Sequence, residues 1–114
     1  MSIGVDAIFS KILEAAQNEF KGQWDVVKDY APAEFKKMAQ QLESIADNVA
    51  KYELDQSQGY SPETGKLLFQ MQKTACESVF VAITQLTLLA VQKAINAILD
   101  VLKKEFGGVL ALVL

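Results

Sequence analysis

The sequence predicts an all-α protein built as an elongated bundle of helices, and three observations support this. Apolar residues recur at steps of three and four along most of the chain, which is the spacing of one helix face. Proline and glycine are confined to a few places, and no segment shows the period of two that is typical of strands. With 114 residues, 51% of them hydrophobic and 22% charged, the chain is expected to form a single domain, 1–114.

The first predicted helix covers about residues 3–30. Gly22 lies inside this segment and weakens a helix by about 1 kcal/mol relative to alanine, which does not require a break. Pro32 disfavours helical angles at Ala31, so the helix is expected to end or kink near this point. Two architectures remain open. If Pro32 ends the helix the protein is a three-helix bundle, and if Pro32 only kinks it the protein is a helical hairpin.

The second predicted helix covers about residues 32–55 and has a heptad pattern, the spacing used in coiled coils. A loop at 56–65 follows, because Gly59, Pro62 and Gly65 stand there among serine and glutamine. Ser61, Pro62 and Glu63 match an N-cap, a proline at the first helical position and an acid in the first turn. The seam of this helix is Phe35, Met38, Leu42, Ile45, Val49 and Tyr52.

The third predicted helix covers about residues 66–106 and is the longest, because no glycine or proline interrupts it. It would extend roughly 60 Å, whereas a compact domain of this length has a radius of gyration of about 13 Å. Its polar stripe is only about 40° wide at 100° per residue. The surplus apolar surface therefore predicts self-association, through an interface comprising Val79, Phe80, Ile83, Leu86, Leu88, Leu99, Leu110 and Leu112.

The tail, 107–114, begins with two glycines and then contains only apolar residues. Six residues, Val109 to Leu114, are too few to cross a bilayer. Two outcomes remain open: the tail packs on the bundle, or it enters lipid.

The residue types argue against nucleic-acid binding, metal binding and catalysis. All 11 basic residues are lysines and the net charge is -3, so nucleic acid is not an expected partner. Without histidine, the carboxylate pairs Asp25–Asp29 and Glu43–Asp47 are interpreted as solvated helix faces and no metal site is expected. Cys76 is the single cysteine and is interpreted as a small core residue. We expect no catalytic residues and no cofactor.

These observations predict a non-enzymatic, self-associating helical-bundle protein with a structural or adaptor role. Its expected partner is a second copy of itself, with another helical protein or a lipid surface as alternatives. The competing hypothesis is an amphipathic protein that coats or inserts into a hydrophobic or membrane surface, as granule-coat or pore-forming proteins do. In its amphipathic helices without catalytic residues, the chain resembles the granule-coating phasins in general character. The lone cysteine and the absence of a basic segment followed by an apolar one near Met1 predict a cytoplasmic protein.

Overall fold

The computed structural model describes residues 4–84 and 86–114, and this part of the chain contains helices and their connections but no strand. The all-α prediction is therefore confirmed. The predicted number of long helices is wrong, because the structure has four instead of three. In chain order the helices are α1 (Val5–Phe20), α2 (Trp24–Val27), α3 (Ala31–Leu54), α4 (Pro62–Ile83), α5 (Leu88–Phe106) and α6 (Gly108–Val113).

The first helix ends ten residues earlier than predicted. α1 stops at Phe20, and Lys21 adopts a φ of 48°, a left-handed conformation that is unfavourable for any residue with a side chain. A 3-10 turn, Lys21–Gln23, and the single turn of α2 follow. Because α1 packs along α3, the chain has to reverse direction between them. It does so over residues 21–30, so the prediction of one helix over 3–30 is wrong.

The second predicted helix is confirmed within one residue at each end. α3 begins at Ala31 with Pro32 in its first turn, where the missing N–H costs nothing. Pro32 therefore opens a new helix and does not kink the preceding one, which excludes the hairpin of two long rods. The predicted seam is also confirmed, because Tyr52 is half-buried and the other five residues are fully buried: Phe35, Met38, Leu42, Ile45 and Val49.

The start of α4 confirms the predicted N-cap. The Ser61 hydroxyl accepts a hydrogen bond from the Thr64 backbone N–H at 3.2 Å, and α4 begins at Pro62. Gly65, which the sequence placed in the loop, consequently lies inside the helix. A Cβ on Gly65 would lie 2.9 Å from Ile45 Cγ2 and 3.1 Å from Val113 Cγ1. The missing side chain thus lets α4 pack closely against α3 and α6.

The predicted continuous helix over 66–106 is wrong, because it breaks between Ile83 and Leu88. The Thr84 hydroxyl donates a hydrogen bond to the Phe80 carbonyl at 2.8 Å and accepts one from the Leu86 N–H at 3.1 Å. The Thr87 hydroxyl caps α5 by accepting from the Ala90 N–H at 3.2 Å. Two threonine side chains thus replace the backbone bonds lost at the break. The second half of the segment folds back as α5, so no helix overshoots the globule.

The four long helices form a ring in which each contacts two neighbours, in the order α1, α3, α4 and α5. The molecule measures 45 × 22 × 20 Å with a radius of gyration of 14.2 Å. At the centre, the Phe80 ring lies 5.3 Å from that of Phe20 and 5.2 Å from that of Phe35. The apolar tail forms α6, which packs on α3, α4 and α5 with Leu110 and Val113 buried. In this structure the tail lies on protein.

Candidate interaction surface

The eight residues predicted to form an oligomer interface divide into three groups. Phe80, Leu99 and Leu110 are buried in the core of the chain itself, so they are not available to a partner in this conformation. Val79, Ile83 and Leu86 are half-buried. Leu88 and Leu112 have 51% and 50% of their surface exposed, but they lie on different helices, α5 and α6. The break at 84–87 is the reason, because it turns most of the apolar arc toward the core.

A different surface, the outward side of α4 beyond Lys66, is uncharged. We call this the α4 outer face and define it as the exposed residues after Lys66, which span about 140° of the helix at 100° per residue. Leu67 and Met71 expose 65% and 66% of their surface. Every residue of this face is apolar, small or an uncharged polar residue: Leu67, Gln70, Met71, Thr74, Ala75, Ser78 and Ala82.

The two charged residues in this part of α4 point away from the outer face. The side chain of Lys73 is 15% exposed and that of Glu77 only 5%, and Lys73 Nζ lies 3.7 Å from Glu77 Oε2. That oxygen accepts no hydrogen bond within the described residues. A buried ion pair without hydrogen bonds is a poor source of stability, because desolvation offsets the attraction. Beyond Lys66, the helix thus has its two charged residues on the inner side and its uncharged residues outside.

Two shallow depressions adjoin Leu67 and Met71. One, of about 270 Å³, lies on the α3 side and is lined by Gln41, Leu68, Met71, Gln72 and Ala75. The other, of about 360 Å³, is lined by Glu63, Lys66, Leu67 and Gln70. The two exposed apolar side chains therefore stand as a ridge between hollows, a relief that can interlock with another helix.

A second group of exposed apolar residues lies at the end of the molecule where α4 turns into α5. Leu88 and Leu89 begin α5 and are 51% and 62% exposed. Val26, 47% exposed, borders a surface depression with Ile83 and Thr84 at the same end. We call Val26, Leu88 and Leu89 the end cluster.

The polar cleft between α4, α5 and α6 is small. Its volume is about 120 Å³, below the roughly 300 Å³ at which ordinary ligand pockets begin. Its charged side chains are those of Asp100, Lys73 and Lys103. Within residues 4–84 and 86–114, no group of three or more acidic or cysteine side chains is arranged to hold a metal ion.

Cys76 is buried against the core, as the sequence predicted. Desolvation, with smaller contributions from the negative charges of Glu34 and Glu77, raises the pKa of its thiol to about 12. Because the thiolate is the reactive form, this group is inert at neutral pH in the folded protein.

Comparison with known proteins gives no relative, because no family model, curated protein sequence or solved structure matches the chain significantly. Within the described residues, none of the helices has the combination of length and hydropathy needed to cross a bilayer.

Sequence reasoning missed the α4 outer face because the predicted apolar arc was assigned to one straight helix. A partial signal was present, since Thr74 and Ser78 belong to the narrow polar stripe and mark the solvent side. The inward orientation of Lys73 and Glu77 had no signal, because charged residues are expected outside.

Proposed function

We propose that this protein is a non-enzymatic helical protein that self-associates and serves a structural or adaptor role. One observation supports the proposal most directly: the α4 outer face carries no charge and exposes Leu67 and Met71. Protein interfaces are depleted of charged residues at their centre, and methionine is enriched there. Exposed apolar surface rimmed by polar residues marks interaction sites.

The other surfaces of the molecule support the assignment to α4. The exposed residues of α3 and α5 include lysines and acids along their length, such as Lys37 and Lys51 on α3 and Lys93 and Asp100 on α5. Charged side chains keep such surfaces hydrated and oppose their association with other molecules. The proposed partner is a second copy of the chain, and the proposed location is the cytoplasm, where the single buried thiol needs no disulfide partner.

Sedimentation velocity over a dilution series from about 100 µM to below 1 µM tests the proposal. We expect a larger species at high concentration that dissociates on dilution. Met71→Glu, which places a charge in the outer face, should shift the midpoint of dissociation at least tenfold toward higher concentration. The matched control is Gln40→Glu, which adds the same charge to the exposed side of α3 and should leave association unchanged.

Three results would contradict the proposal or its assignment to α4. A wild-type protein that is monomeric over the whole series would refute self-association. Association that weakens equally in Met71→Glu and Gln40→Glu would mean that added charge alone is responsible. Association unaffected by Met71→Glu would move the interface away from α4.

A second candidate function, coating of a hydrophobic or lipid surface, is favoured by the end cluster. Leucine side chains at a helix start can insert shallowly into the boundary between headgroups and acyl chains. Flotation with vesicles of phosphatidylcholine and phosphatidylserine tests it. Leu89→Glu should abolish flotation, whereas Leu54→Glu, at another exposed leucine, should not. If the wild-type protein stays unbound, this candidate is eliminated.

A further inference from the structure

The α4 outer face has its large and small residues at opposite ends. Its N-terminal half contributes the long apolar side chains of Leu67 and Met71. Its C-terminal half contributes only small side chains, Ala75, Ser78 and Ala82. Such an arrangement leaves a ridge at one end and no long side chain at the other, where Ala82 borders a surface depression shared with Gln23 and Val26.

We propose that two copies of the chain pair through α4 in antiparallel orientation, with the two-fold axis level with the Thr74–Ala75 peptide. The inference rests on the proposed function, and it specifies the partner and the register. In a two-fold interface residue i meets residue j while j meets i. At this register Leu67 of each copy lies level with Ala82 of the other, and Met71 lies level with Ser78.

Packing favours this orientation over the parallel one. In the antiparallel register each large side chain meets a small one, so the helices can approach closely along their whole contact. In a parallel pair the two copies of Leu67 and Met71 would meet each other, while the alanines and serine at the other end would be held apart. A gap of that kind loses dispersion contacts.

Charge complementarity also favours the antiparallel register. The last turn of α4 contains no basic residue, although its C-terminal carbonyls carry a partial negative charge. The proposed register brings Lys66 of the other copy level with Ile83, the last residue of α4. Lys66 borders the outer face, about 40° beyond Gln70 at 100° per residue, so its long side chain can extend toward the helix end of the partner copy, which has no cation of its own. A parallel pair would instead place Lys66 beside Lys66.

Cross-linking through one introduced cysteine tests the register. Every variant keeps the buried thiol of Cys76, so the wild-type chain provides the background. A disulfide needs Cα atoms within about 7 Å of each other. Thr74→Cys and Ala75→Cys lie at the two-fold axis, so each should form a covalent dimer under mild oxidation. Leu67→Cys should not, because the two copies of residue 67 would be about 22 Å apart at 1.5 Å per residue.

A mixture of Leu67→Cys with a mass-tagged Ala82→Cys variant should form the mixed covalent dimer in preference to either homodimer. Gln40→Cys, exposed on α3, serves as the control for random collision and should form no dimer above the wild-type background. All variants are compared with the wild-type chain by sedimentation at the same concentration.

The outcomes separate the two proposals. A wild-type chain that never dimerises refutes self-association and this inference together. A wild-type dimer whose Thr74→Cys and Ala75→Cys variants both fail to cross-link refutes the register and leaves self-association standing. Efficient self-linking of Leu67→Cys refutes the antiparallel orientation in favour of the parallel one.

Discussion

α3 and α4 are neighbouring helices of similar length that differ in where their charged side chains lie. On α3 the charged residues all lie at exposed or half-buried positions, and the seam from Phe35 to Val49 is buried. On α4, beyond Lys66, the two charges are turned inward and the outward side is uncharged. α3 follows the usual rule for a helix at a water-facing surface. The inverted arrangement on α4 favours contact of this surface with a partner over exposure to water. The difference between the two helices can be tested residue by residue.

The largest effect is expected where the two helices are alike, at their inner faces. Phe80 of α4 and Phe35 of α3 pack against each other and are fully buried. Phe80→Ala and Phe35→Ala should each lower the free energy of unfolding by about 3–5 kcal/mol, through lost burial and the cavity left behind. Chemical denaturation with one spectroscopic probe measures this. If Phe80→Ala costs much less than Phe35→Ala, α4 does not pack into the core as described.

The next largest loss of stability is expected when the lysine of an ion pair is removed, and it should differ between the two helices. In Lys73–Glu77 on α4, 3.7 Å apart, Glu77 is buried and Lys73 half-buried, whereas in Lys37–Glu34 on α3, 3.1 Å apart, Lys37 is exposed and Glu34 half-buried. Lys73→Met should cost about 2 kcal/mol of stability because it leaves a buried carboxylate uncompensated. Lys37→Met should cost less than about 0.5 kcal/mol because water screens the pair.

The double variant Lys73→Met with Glu77→Leu provides the control for this comparison. It should recover most of the stability lost in Lys73→Met, since apolar side chains of similar volume need no compensation. Equal losses for Lys73→Met and Lys37→Met would show that the α4 pair is hydrated, and the contrast between the two helices would disappear.

The helix starts also differ, and the expected effect is smaller. Ser61 caps α4 through its side chain, whereas Tyr30, at the start of α3, makes no such bond. Ser61→Ala should lower the free energy of unfolding by about 1 kcal/mol. Ser57→Ala, in the same loop but outside the cap, is the control for loss of a serine hydroxyl that makes an exposed hydrogen bond, to Asp55 Oδ1 at 2.8 Å. A loss in Ser61→Ala no greater than in Ser57→Ala would argue that the cap does not stabilise the native state.

The smallest effect on the folded monomer is expected at the outer surfaces. Leu54 of α3 and Leu67 of α4 are 92% and 65% exposed. Leu54→Ser and Leu67→Ser should each change the unfolding free energy at low protein concentration by less than about 0.5 kcal/mol. Only Leu67→Ser should remove the concentration dependence of the melting temperature, because only that leucine lies in the proposed interface. A loss of that dependence in both variants would mean that exposed leucines associate non-specifically.

The sequence predicted α3 well and the segment 66–106 poorly. The two cases differ in how far apart along the chain the deciding residues are. The α3 seam, its start beside Pro32 and the Ser61 cap all depend on residues within one or two turns of each other. The break at Thr84–Thr87 lacks glycine and proline. The hydroxyls of Thr84 and Thr87 satisfy its backbone through local hydrogen bonds. Because threonine is also tolerated inside a helix, these two residues do not mark a break in the sequence pattern. Because the prediction assumed one straight helix, the predicted interface included Phe80 and Leu110, which the structure places in the core.

By itself the sequence determined that the chain is helical, that the helical path is interrupted at Pro32, that a helix starts after the Ser61 cap, and that apolar surface exceeds what one straight helix can hide. Periodicity and caps carry this information because they act locally. Whether Pro32 ends a helix or kinks it was decided by the tertiary structure, in which α3 starts at Ala31. Only the tertiary structure decided that the last long segment folds into two helices, that Gly65 is a close contact between helices, and that Lys73 and Glu77 face inward. Each of these depends on which helix lies alongside, which residues near in sequence do not encode.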